Sequence, residues 1–64
     1  MNKELLERAI EQLTWVIESD AGMAKWESEK PEDERDEEWI EHLSWLVEER
    51  TDIVDGLIEF QKQQ

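Results

Sequence analysis

The chain has 64 residues, 38% of them hydrophobic and 41% charged, with no cysteine and a formal net charge of −12. A chain of this size buries only about 60% of its extended surface on folding, so it can form at most one short domain over residues 1–64, and association is expected. Without cysteine it has no disulfide framework and no thiolate metal site, which leaves packing and partner subunits to stabilise the fold.

The charge narrows the choice of partners. Nineteen acids against seven bases create a field that repels phosphate backbones and anionic headgroups. Direct binding to nucleic acid or to a membrane surface is disfavoured, and a protein partner with a basic surface is favoured. No window approaches the roughly 18 uninterrupted apolar residues of a membrane span, and Met1-Asn2-Lys3-Glu4 lacks the apolar run of a secretory signal, so a cytoplasmic protein is expected.

From the N-terminus, Asn2 is a good N-cap and Glu4 follows in the first turn. Leu5, Leu6, Ala9, Ile10, Leu13, Val16 and Ile17 then recur at three and four residues, the pattern of an amphipathic helix. Ser19-Asp20-Ala21-Gly22 is its weak point, because it contains poor helix formers, puts Asp20 near the middle of the apolar arc, and ends in a glycine that suits a C-cap. Either the helix stops near residue 20 or it runs through to about Ser28. The return of Met23 and Ala24 to the same face favours one helix over about residues 3–28.

Residues 27 to 41 carry nine acids against Lys30 and Arg35, and composition alone there passes for disorder. The strongly periodic segments on both sides argue for order. Pro31 followed by Glu32, Asp33 and Glu34 reads as a helix start, with a short connection at about 29–31, or a somewhat longer one if the acidic segment is not fully helical. The second helix then spans about 32–61, with Trp39, Ile40, Leu43, Leu46, Val47, Ile53, Val54, Leu57, Ile58 and Phe60 on its apolar arc and with Gln61 to Gln64 frayed. On this reading Trp39 is core.

The expected fold is all-α, an antiparallel two-helix hairpin, because short connections give antiparallel neighbours. A lone hairpin leaves its flanks wet, so two hairpins are expected to dimerise into a four-helix bundle. Arg50 lies at the centre of its apolar stripe. With a turn near residue 30 it faces roughly residues 10 to 14, and Asp20 faces roughly 40 to 44, so the two do not obviously meet within one hairpin. Each either snorkels to an edge or meets the other across a dimer as a registry-setting ion pair.

Four tryptophans are the most unusual feature of the composition. Trp15 and Trp26 are eleven residues apart, nearly on one line with Arg8, Ser19 and Gly22, away from the apolar arc. They read as a second contact strip. Trp45 is also off the apolar face, among Glu38, Glu41, Glu48, Glu49 and Asp52. Tryptophan is enriched at binding hot spots, so Trp45 first, with Trp15 and Trp26, is a candidate anchor for a partner protein. The competing expectation is that these indoles pack inside the oligomer.

Glu34, Glu37, Glu38, Glu41, Glu48, Glu49, Asp52, Asp55 and Glu59 place one carboxylate about every 4 Å along the second helix, close to the roughly 3.4 Å spacing of phosphates on a DNA strand. A ridge of this kind suits the basic groove of a nucleic-acid-binding protein. An ordinary solvated face has the same composition.

Catalytic readings are weaker. Glu34-Arg35-Asp36-Glu37 and Glu49-Arg50-Thr51-Asp52 match loose magnesium-binding spacings, but they share one helix, whereas a magnesium cage draws carboxylates from several. His42 has Trp39, not Glu, three residues before it, which breaks the di-iron pattern, and it has no paired nucleophile. It reads as a boundary histidine. No enzyme, metal or cofactor is expected.

The first expectation is therefore a small acidic inhibitor or modulator of a basic, nucleic-acid-binding partner, acting by nucleic-acid mimicry. Phage and mobile-element anti-defence proteins are a natural setting for that physics. The alternative is a structural or adaptor protein that works by helix-to-helix association.

Overall fold

The computed structural model describes residues 2–63. It is all-helical: α1 spans Lys3–Ser28 and α2 spans Glu37–Lys62, joined through a 3₁₀ turn at Glu32–Glu34. The two helices pack side by side as a hairpin 50 Å long and 14 × 12 Å across.

The start of α1 is fixed by the Asn2 side chain, which accepts from the Glu4 N–H at 2.8 Å and the Leu5 N–H at 3.3 Å. The helix runs unbroken through Ser19–Gly22, and Gly22 keeps an ordinary helical φ. Asp20 does not break it because its carboxylate is engaged by Arg50 and so does not compete for nearby backbone N–H groups.

The connection is the longer of the two expected, since the acidic segment is not fully helical and α2 begins at Glu37 rather than at 32. Pro31 opens the 3₁₀ turn instead, accepting the Glu34 N–H at 2.9 Å. The chain is then held extended at Arg35 and Asp36, with ψ of 131° and 93°. Two interactions fix it there: Arg35 Nε donates to the Lys30 carbonyl at 3.2 Å, and the Asp36 N–H donates to the Glu27 carboxylate at 3.0 Å. Asp36 in turn caps α2 by accepting the Trp39 N–H at 3.0 Å. An aspartate cap outcompetes a proline start because it satisfies a backbone donor that proline leaves open. At the other end α2 continues through Lys62 with Gln63 as its cap, so Gln61 is not frayed; Gln64 lies outside the described residues.

The later start of α2 changes the register. Moving it by five residues shifts the facing position of Asp20 from about 40 to about 45, roughly 7.5 Å closer to Arg50 at 1.5 Å per residue. Side chains lean toward the N-terminus of their own helix, so in antiparallel helices Asp20 and Arg50 lean toward each other. They form a hydrogen-bonded ion pair within one hairpin. The expectation that they miss each other is overturned.

Among the described residues Leu6, Leu43 and Val54 are the buried apolar side chains; the rest of both apolar arcs is half-buried, except Leu5, Met23, Trp39, Ile53 and Phe60, which are exposed. Two helices alone cover only a narrow stripe. Trp39, expected in the core, sits on the flank of that stripe and is 42% exposed.

Candidate partner-binding surface

The outer face of α2 carries the acidic ridge. Glu38, Glu41, Trp45, Glu48, Glu49 and Asp52 fall within an arc of roughly 100° facing away from α1, and all six side chains are exposed. Trp45 stands among the carboxylates, 55% exposed. Among the described residues the ion pairs on the ridge lie at its ends, Glu37 with Arg35 at 3.3 Å and Glu59 with Lys62 at 3.6 Å. The carboxylates around Trp45 have none. Glu34, counted with the ridge from sequence, belongs to the 3₁₀ turn, so the helical ridge runs from Glu37 to Glu59, about 33 Å at 1.5 Å per residue.

Trp15 and Trp26 do not join this surface. Both lie on α1, 67% and 65% exposed, and Trp15 faces away from α2. Lys30 Nζ lies 4.4 Å from the Trp26 ring centroid, a cation–π contact. Ser19 and Gly22 between the two indoles are open, and a Cβ at Gly22 would meet nothing within 4 Å.

Two features escape a reading of the sequence. The first is an aromatic ladder. The His42 ring stacks on Trp39 at 5.9 Å between centroids and on Trp45 at 6.5 Å. Residues three apart turn by about −60° round a helix, so the ladder climbs from the inner flank of α2 to its outer ridge. The i, i+3, i+6 spacing of three aromatic rings was the signal. The second is Glu27, nearly buried, which accepts the Asp36 N–H and pairs with Lys30 at 3.1 Å. The Asp36 N–H, with help from Lys30, holds its carboxyl below the usual glutamate range against the opposing effect of desolvation. A contact nine residues away across a loop leaves no periodic trace in the sequence.

Among the described residues no three His, Asp or Glu side chains gather as they would to hold a metal ion. No helix among the described residues is long and apolar enough to cross a membrane. Comparison with protein-family models, with curated proteins and with solved structures returns no match.

Proposed function

We propose that the hairpin is a small acidic binding protein that inhibits or modulates a basic, nucleic-acid-binding protein by presenting α2 in place of a phosphate backbone. The observation that carries this reading is the row of carboxylates from Glu38 to Asp52, exposed and without an ion pair among the described residues, with Trp45 in its midst. Carboxylates at phosphate-like spacing attract a basic groove over long range, and an exposed indole supplies short-range apolar contact. The protein acts by binding, without catalysis or cofactor. Two copies pair as a four-helix bundle and leave this ridge outward; a cytoplasmic setting and a phage anti-defence role fit the same physics.

The test is capture with the purified protein at low and high salt. The expected catch is a nucleic-acid-binding protein that is released by high salt and by competing duplex DNA. Reversing Glu41, Glu48 and Glu49 to lysine should abolish capture while the helical circular dichroism is unchanged. Capture that survives the triple reversal overturns the reading.

A second reading, an assembly or adaptor protein, is favoured by the apolar side chains left exposed on both helices. It predicts a partner held independently of salt.

A further inference from the structure

Among the described residues eight large apolar side chains are exposed, and they are not scattered. In α1 the inward line runs through Leu6, Leu13, Asp20 and Glu27; Leu5, Met23 and Trp26 lie roughly 50–105° to one side of it. In α2 the inward line runs through Leu43, Arg50 and Val54; Trp39, Ile53 and Phe60 lie roughly 45–105° to one side of that. Two right-handed helices running in opposite directions turn these flanks to the same side of the hairpin. Six of the eight therefore share one face, and the remaining two, Trp15 and Trp45, point outward from their helices.

The charge on that face is just as selective. In a chain with nineteen acids, no carboxylate falls among the six; Glu38 and Glu49 stand at its outer edge, and Lys30 covers Trp26. We infer that this acid-free face is the surface on which a second copy of the chain packs, head to tail, to complete the four-helix bundle.

Area supports a second copy as the occupant. The chain exposes 5105 Å², whereas a compact monomer of 7.7 kDa exposes about 4,300 Å². The excess, roughly 800 Å², is what one partner contributes to an interface of standard size. A two-fold pairing matches the face to itself, so acid-free surface meets acid-free surface and the acids of both copies stay in water.

Charge also sets the direction. The loop end, residues 27 to 41, carries a net −7, while Lys3, Glu4, Glu7 and Arg8 cancel at the open end, as do Glu59 and Lys62. Pairing with the loops together sets two strongly negative ends side by side. Head-to-tail pairing sets each loop over a neutral end and brings Leu5 and Phe60 of one copy against Trp26 and Trp39 of the other.

This inference rests on the paired state proposed above and adds its face and direction. Light scattering of the wild-type chain at micromolar concentration should give twice 7.7 kDa; a monomer overturns pairing and face alike. Ile53→Ser and Trp26→Ser should each weaken the dimer at least a hundredfold, since each change counts twice across a two-fold axis. Trp15→Ser, the same chemical change off the face, should leave the mass unchanged. A dimer indifferent to Ile53 and Trp26 overturns the face while leaving pairing intact. A spin label at Glu32→Cys on the otherwise wild-type chain, which has no native cysteine, reads the direction without touching the face. Head-to-tail pairing places the two labels apart by nearly the 50 Å hairpin length; a separation under about 20 Å, the width of two helix layers, overturns it.

Discussion

Asp20 and Arg50 are the two residues whose roles depend most on their surroundings. The Asp20 side chain is 10% exposed and that of Arg50 is 30% exposed, so removing one partner strands the other in a largely dry setting. Arg50→Met should cost about 2 kcal/mol in urea unfolding, and the double variant Asp20→Leu, Arg50→Met should recover most of it. A double variant no better than the single one would show that the pair is not the source of the loss. Glu27 gives the fold a pH dependence. Its folded pKa is depressed, so its contribution is fully present above the unfolded value of about 4.3 and is lost as the pH falls through the lower folded value. Glu27→Gln should flatten the acid limb of stability against pH below about 4.3, where protonation otherwise removes the charge that strengthens the bond from the Asp36 N–H and pairs with Lys30. The sequence marks Asp20 and Arg50 as anomalies on apolar faces but does not join them, because a pairing across thirty residues depends on register.

The helices themselves are legible. Asn2 and the 3–4 spacing of α1 locate its start and its inner face, and the return of Met23 and Ala24 carries it past Gly22. The connection is not legible, because Pro31 and Asp36 are both good start signals and the choice between them rests on Glu27 and Arg35 reaching across the loop. One wrong start shifts every cross-helix pairing by more than a turn. Gly22 sits in helical backbone with open space where its Cβ would be. Gly22→Ala should therefore stabilise the hairpin by about 0.5–1 kcal/mol, seen as a raised thermal midpoint. A lowered midpoint would mean that another helix packs closely against the Trp15–Trp26 strip, as the assembly reading requires.

For the molecule as a whole, composition shows the excess of acid but not where it lies. The ridge can be read from spacing, since one helix wheel suffices; the acid-free face needs both helices and their relative direction. This partition gives salt opposite effects on two properties. Screening relieves the self-repulsion of a −12 rod, so raising sodium chloride from low to near-molar should raise the thermal midpoint, while capture of a basic partner by the ridge should fall. Parallel trends in both would contradict an electrostatic ridge. The Trp39–His42–Trp45 ladder also offers a way to watch each surface separately. Trp39 borders the acid-free face, Trp45 stands in the ridge, and one imidazole lies between them. With no tyrosine in the chain, emission comes from indoles, so variants that keep a single tryptophan at 39 or at 45 give a dye-free optical gauge of one surface at a time.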